Sequence, residues 1–563
     1  MNQLFKNTLA ISEATARHIL TTAIRDPEHP FFAKPMTADG LYDPSDVLVR
    51  LSEMGALYLI PESVYYKSEE ALDMVRDLCV AAETSVHEDG TNDLIISNFR
   101  QPEYFHFPLL CQVYRQLDQL REPTGKEIAA KEKLYDLIER LSQGLLSSGF
   151  HTPNHRWVHT AALCYAYNTV KPQNQRFMDL AEKYLAEKID IDEYGEFSER
   201  SAGMYSAISD RALCGIAEEA GKPELFELVK RNLRLVYRYI ENDTVIFTQN
   251  SHRKDKGEVG SDMLFLFDRY ADVCLAAYAN TQDPEFLHIL MSALKDSKNP
   301  TPTYHSIFVY LEHPELKNMT HDLSSLPEME KEFHAFYPDS NIVRVKEKGV
   351  SYSLLARKFN FLFANVGSIN LCARMCSSFF AIAQFLPEKI EQIGEKKYRM
   401  TFHASADYKQ PFDVPPAGSE KYWTMDYNSR KSISPCEYGY CVDVEFIENG
   451  VRMRIRTEGT PNVPFKLEFA VTPGVYVGAG SAMTVAQAGQ FICAKEGDIT
   501  LCNYEGDHIA IRGAFAEHFY HQNMRGSVSP TPNKFMVYCT GSSPIDRTVE
   551  IICEKNHPWD FFA

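Results

Sequence analysis

Residues 152–167 read TPNHRWVHTAALCYAY. A proline, an asparagine and a histidine stand before an apolar run at helical spacing, which predicts a helix with polar, reactive groups in its first turn. Pro153 disfavours helix at Thr152. Asn154 is a good N-cap residue, and Arg156 onward can run helically. The first turn of a helix carries unpaired N–H groups and a partial positive charge, which suits an anion. An amide and an imidazole placed there are fit to hold a carboxylate. The plainer alternative is that Asn154 only caps the helix and His155 is a surface histidine.

The same helical spacing extends outward. Apolar residues recur three and four apart in 44–59, 69–82, 104–120, 126–146, 158–170, 176–186, 204–220, 223–239, 261–279 and 285–294. Asp43 before Pro44 is a cap followed by proline at N1, and Gly221 is a stop signal with Pro223 opening the next helix. Ten to twelve helices joined by short loops, with no repeat of fixed period, predict an (α/α) toroid of paired helices rather than an open solenoid. Prolines at 300, 302, 314 and 327 break the pattern, and 300–332 is read as a linker. Beyond it the period changes from 3.6 to 2. Residues 342–345 and 350–356 flank the turn KEKG, and 440–447 and 451–457 flank Asn449-Gly450, a strong hairpin signal. Residues 465–471, 535–539 and 548–553 are further strands. The expected fold is thus an (α/α) toroid catalytic domain over 1–325 and an antiparallel β-sandwich over 326–563.

The charge balance is 58 − 76 = −18, with a pI near 5.5. That excludes the broad basic field needed for nucleic acid or an anionic membrane, and leaves room for a local basic pocket. No apolar run approaches the roughly 20 residues that span a bilayer. The thirteen cysteines are scattered without a CxxC, which suggests reduced thiols and a cytoplasmic protein. The N-terminal residues lack the apolar core of a secretory signal. The sequence leaves a homo-oligomer open.

Three further stretches carry chemistry. Tyr205 follows the loop EYGEFSERSAG and falls at a helix start, with Arg200 and Arg211 close in sequence. A nearby cation favours a phenolate, a usable proton-transfer group. NSHRKDKG packs His252, Arg253, Lys254 and Lys256 into five residues of an acidic protein. By default such a run is a solvated loop, yet it is also what an anionic substrate needs. HEDGTNDLIISNFRQPEYF, residues 87–105, is long for a helix connection and holds Asn98 and Arg100. His151, His155 and His159 are four apart, but Pro153 prevents one helix through all three, and no Cys or HExxH completes a metal site.

Together these stretches resemble the heparinase II/III-like polysaccharide lyases, relatives of the alginate and hyaluronate lyases with an (α/α) toroid followed by a β-sandwich. The resemblance rests on DGTNDLIISNF (89–99), the Asn154-His155 pair, GEFSERSAGMYSA (195–207) and SHRKDKG (251–257). It implies cleavage of a uronate-containing oligo- or polysaccharide by β-elimination, with no metal or cofactor. Asn154 and His155 would neutralise the carboxylate, and Tyr205, with a histidine, would move the proton; His252, a catalytic candidate that with Arg253 also matches a basic substrate-binding loop, and His403 of the β-domain both stay open for that histidine. Arg253 would bind substrate, with Asn98, Arg100, Trp157, Arg200 and, from the β-domain, His403 as further contacts. A second arginine is more usual where His252 stands. Two other readings compete. A glycoside hydrolase on the same toroid would need two flanking carboxylates, for which Asp93, Glu196 and Glu199 are candidates. A non-catalytic carbohydrate-binding helical protein would leave the three polar stretches apart in space.

Overall fold

The computed structural model describes residues 2–36, 40–94, 98–256, 264–297, 299–319 and 328–556. The chain divides into a helical unit (1–240, 244–256 and 264–329) and a second unit formed mainly by 330–563. The expected join at residues 325 and 326 lies outside the described residues.

In the helical unit, Pro44–Leu59, Phe107–Asp118, Pro153–Thr169, Tyr205–Glu219, Ala271–Thr281 and His305–Glu312 touch one another in that order, and the last returns to the first. Gln3–Thr22, Glu69–Glu83, Gly125–Ser147, Gln175–Ala186, Leu225–Tyr239 and Pro284–Leu294 lie outside this ring. Inner and outer helices alternate along the chain, so the inner ones run in one direction and their N-termini share one mouth. This is the (α/α) toroid that the periodicity predicts.

Two expectations are corrected. Part of the region read as a linker is the eight-residue helix His305–Glu312, followed by a 3-10 turn over Pro314–Asn318. Its flanking prolines hid it, yet Ile307, Phe308, Tyr310 and Leu311 are buried and it closes the inner ring. The helix read as 158–170 begins at Pro153, with Thr152 and not Asn154 at the N-cap. Proline at N1 is stable because it lacks only an N–H that would have no partner in the helix.

The second unit is a pair of sheets. One runs Ala482–Val485, Tyr476–Ala479, Glu496–Cys502, His508–Phe515, Asp546–Glu554, Gly450–Gly459, Ser432–Ile447, Lys397–Lys409, Glu391–Gly394. The other runs Phe491–Cys493, Phe535–Ser542, Pro464–Val471, Ile369–Ser377, Leu362–Val366, Val350–Leu355, Ile342–Glu347, Phe333–Tyr337. One buried cluster, including Leu354, Met375, Phe465 and Phe469 from the second sheet and Val442, Met453, Ile511 and Ile551 from the first, forms the core. The sandwich is antiparallel as expected, except that Phe491–Cys493 runs parallel to Phe535–Ser542. The Asn449-Gly450 hairpin forms one residue earlier than read. Ile447 pairs with Gly450, so Glu448 and Asn449 make the turn, with Asn449 left-handed at φ 56°. Gly450 belongs to the strand, where a Cβ would meet the Ile551 carbonyl oxygen at 2.6 Å.

Candidate active site

The site is built at the N-terminal mouth of the inner helices. In the first turn of Pro153–Thr169, Thr152 Oγ1 donates to Asn154 Oδ1 at 2.8 Å. Asn154 is 1% exposed, and its Nδ2 has no hydrogen-bond partner. A buried amide donor without an acceptor is costly, and this one is free to donate to a ligand. Next to it, His155 Nδ1 lies 2.6 Å from Tyr104 Oη, and Phe105 meets the imidazole edge-on. Burial, then the charge of Arg253 and then His151, push the His155 pKa down to about 4. The imidazole is therefore neutral near pH 7. Burial also raises the Tyr104 phenol well above its ordinary value, so Tyr104 keeps its proton and can donate it to Nδ1. The His155 proton then sits on Nε2.

A second segment fixes the phenol. Tyr205 opens the helix Tyr205–Glu219, and its N–H donates to Ser201 Oγ at 3.0 Å. The preceding turn is held by Tyr270 Oη on the Ala202 carbonyl and Arg269 Nη1 on the Gly203 carbonyl, both at 2.6 Å. Gly203 N–H donates to Asp255 Oδ2 at 3.0 Å, and Ser251 Oγ donates to Asp255 Oδ1 at 2.5 Å. Buried Asp255 thus ties the basic loop to the Tyr205 turn. A Cβ at Gly203 would come within 2.7–2.9 Å of Thr248, Phe265 and Asp255, so only glycine fits there. Glu196 makes a parallel tie, accepting from Tyr239 Oη at 2.5 Å and Asn250 Nδ2 at 3.2 Å.

Arg253 joins the parts. Its guanidinium stacks on the Tyr205 ring at 4.2 Å and donates to Glu199 Oε1 at 2.5 Å. The Glu199 carboxylate also accepts from the Asn154 backbone N–H, although burial raises its pKa overall. Asn154, His155, Tyr205 and Arg253 therefore occupy one site, linked through Glu199.

The other expected residues are placed differently. Arg211 is not beside the phenol: it lies two turns along the helix, bound to Asp272 by Nε at 2.5 Å and Nη2 at 3.1 Å. Arg253 is the cation on the ring. The His252 imidazole is exposed, and its backbone N–H donates to the Glu199 carbonyl at 3.1 Å. Arg200 holds a left-handed turn at φ 52°. Trp157 is not a substrate contact. It is fully buried, with Nε1 donating to Asp190 Oδ1 at 2.6 Å and Arg156 over its ring at 4.2 Å. Two residues along a helix is about 200°, so Trp157 faces away from His155. Asn98 and Arg100 lie in the hairpin Asn92–Leu94 and Asn98–Gln101. Asn98 Nδ2 donates to Gln101 Oε1 at 3.1 Å, and the Arg100 guanidinium is 3.7 Å from Asp89. His403 lies exposed in the strand Lys397–Lys409 of the β unit, 3.8 Å from Glu437. His159 is buried with Nε2 on the Leu145 carbonyl at 2.9 Å. Among the described residues no group of three or more His, Cys, Asp or Glu is arranged to hold a metal.

Sequence reasoning missed Tyr104 and the linking role of Glu199. The apolar spacing places Tyr104 at the start of the helix 104–120, but that helix begins at Phe107 and Tyr104 sits in the loop two residues after Pro102. Glu199 stands out by charge alone, which suggests an acid catalyst before it suggests a clamp.

No family model matches the sequence, and neither does any curated protein. Solved structures match over nearly the whole chain at low identity. Heparinase III aligns with TM-score 0.57 and 9% identity, covering 98% of this chain and 86% of that one. A chondroitin AC lyase of Streptomyces coelicolor A3, solved with chondroitin sulphate, aligns with TM-score 0.56 and 11% identity over 98% and 79%. A Paenibacillus xanthan lyase aligns with TM-score 0.60 and 9% identity over 99% of this chain, which spans 58% of that protein's length. The chain shares with these lyases the fold of a helical toroid followed by a β-sandwich.

Proposed function

We propose that the protein is a carbon–oxygen lyase that cleaves a uronate-containing glycan by β-elimination. The observation that carries this is the convergence of a buried, unpartnered amide (Asn154), a neutral imidazole (His155) and an arginine-stacked phenol (Tyr205) at one helix mouth. The likeness in fold to heparinase III and the chondroitin and xanthan lyases supports the same reading.

The C5 proton of a 4-linked uronate is weakly acidic beside an ionised carboxylate. Asn154 Nδ2–H and His155 Nε2–H donate to that carboxylate, and the helix N-terminus adds partial positive charge. These donors strengthen as the carboxylate gains enolate character, which is worth several kcal/mol at a preorganised site. Tyr205, as phenolate, takes the C5 proton. The electron pair forms C4=C5, the C4–O bond breaks, and the leaving oxygen receives a proton from the Tyr205 phenol. Arg253 sets positive charge against the ring throughout. A neutral His155 suits this role, because it donates a hydrogen bond without protonating the carboxylate.

The hydrolase alternative needs a free carboxylate pair. Glu196 is bound to Tyr239 and Asn250, Glu199 to Arg253, and Asp93 accepts from the Arg100 N–H and meets His87 at 3.0 Å. These engagements favour the lyase. Thirteen free thiols fit a reducing compartment, and we place the enzyme in the cytoplasm acting on imported oligosaccharides. The test is a panel of glucuronate-, iduronate- and mannuronate-containing oligosaccharides followed in the near-UV, where a C4=C5 bond conjugated to the carboxylate absorbs. Wild-type protein should generate the absorbance and Tyr205→Phe should not, while still binding substrate. Cleavage without absorbance would establish hydrolysis instead.

A further inference from the structure

The axis of the toroid is not filled. A cavity of about 220 Å³ runs down it, from Phe105, Val158 and Ile208 beneath the catalytic mouth to Glu218, Glu312 and His313 at the opposite ends of the inner helices. Along Tyr205–Glu219, Ile208 and Glu218 are ten residues apart, a length of about 15 Å. The wall is mostly apolar, with polar groups at two places. The upper one is already neutralised, since Arg211 is bound to Asp272 through two nitrogens.

The lower one is not. Glu218 and Glu312 lie in the last turns of their helices, where the helix dipole is negative and an acidic side chain is disfavoured. The nearest guanidinium, Arg115, is bound to Glu219 at 2.6 and 2.9 Å, and His313 faces Glu315 at 3.4 Å; together with a hydrogen bond from Asn280 they offset Glu218 only in part, and burial and then Glu219 leave its pKa raised. Burial and then Glu218 push the Glu312 pKa up to about 8. Gln112, 9% exposed and in the cavity wall, donates Nε2 to Glu312 Oε2 at 2.6 Å and to Tyr165 Oη at 3.3 Å. Its Oε1, a hydrogen-bond acceptor, has no partner. Two crowded acidic side chains, of which Glu312 holds its proton near neutral pH until a cation takes its place, converging helix C-termini and an unused amide oxygen all suit a positively charged donor, and the apolar wall above them suits hydrocarbon.

We infer that this axial cavity is a second ligand site, for a small primary alkylammonium ion. Its nitrogen lies among Glu218, Glu312 and Gln112 Oε1, and its chain runs up past Phe308, Ala212 and Ala161. A bare metal ion fits poorly, because the wall is mostly apolar and, among the described residues, no metal-ligating cluster exists. At roughly 30 Å³ for each water-sized unit, the volume takes about seven non-hydrogen atoms. The inference stands apart from the lyase reading, since none of these residues is given a role in that reaction.

Isothermal titration with n-hexylammonium chloride tests it on the full chain. Wild-type protein should bind one equivalent with a Kd of about 1 mM or tighter, and n-hexanol at least about tenfold more weakly, because it carries no charge. Glu312→Gln and Glu218→Gln should each weaken the ammonium by about tenfold. Ala276→Phe, which fills the cavity from its wall and keeps every carboxylate in the chain, should abolish binding and leave the uronate cleavage assay unchanged; it also serves if a glutamine variant fails to fold. Absence of binding to wild type, equal affinity for the alcohol, or undiminished binding in Ala276→Phe would each overturn the inference.

Discussion

The hydrogen bond from Tyr104 to His155 gives the sharpest test of the catalytic geometry. Tyr104→Phe removes one oxygen from a fully packed position and leaves the ring, so the fold should hold. What it removes is the donor at 2.6 Å that stabilises an unprotonated Nδ1. A buried bond of this kind is worth about 1–1.5 kcal/mol net, which corresponds to roughly one pKa unit at 1.36 kcal/mol each. The bond favours neutral imidazole, so its loss raises the His155 pKa from about 4 by about one unit. The freed Nδ1 can then also take the proton, and the Nε2–H donor is lost from part of the population. The expected result is a kcat/KM lower by up to about tenfold near neutral pH, with the acid limb of the pH profile shifted upward by about one unit. The assay is initial-rate near-UV absorbance across pH 4–8, with circular dichroism confirming the fold at each pH. A variant profile that superimposes on wild type in height and position would refute the orienting role of Tyr104.

Three further expectations follow from the same contacts. Glu199→Gln should lower kcat/KM by about tenfold, and a double-mutant cycle with Arg253→Lys should show about 0.5–3 kcal/mol of coupling; strict additivity would disprove the link. Trp157→Phe should cost about 1.5–3 kcal/mol of stability through the lost bond to Asp190, read by urea unfolding, while kcat changes little; a stable but inactive variant would return Trp157 to the substrate site. Burial holds His159 at a pKa of about 4 in the folded state, below its ordinary 6.5. The folded protein therefore binds fewer protons than the unfolded chain between these values, and this stabilisation, up to about 3 kcal/mol, is present above pH 6.5 and lost as pH falls toward 4. His155 slopes the same way and the raised carboxylates of Glu53 and Glu312 slope oppositely, so the test is the difference between wild type and His159→Gln. Equal pH slopes for the two would contradict it.

The periodicity of apolar residues made both architectures legible: spacing of three and four for paired helices, then alternation for paired strands, because burying one face is a local, repeating requirement. The polarity of the 152–167 helix mouth was legible too, since a proline, an amide and an imidazole in a first turn have the same chemistry wherever the helix lies. Three matters were decided only by tertiary structure. His305–Glu312 is helical because it closes a ring, although its prolines argue for a linker. Arg253, almost fifty residues from Tyr205, supplies the cation that neighbouring Arg211 was expected to supply, because Arg211 is spent on Asp272. Trp157, two residues from His155, is turned into the core by the helical pitch. Sequence spacing reports which face of an element is apolar; which distant side chain meets a polar face depends on how the closed ring brings its loops together, and local pattern carries no record of that.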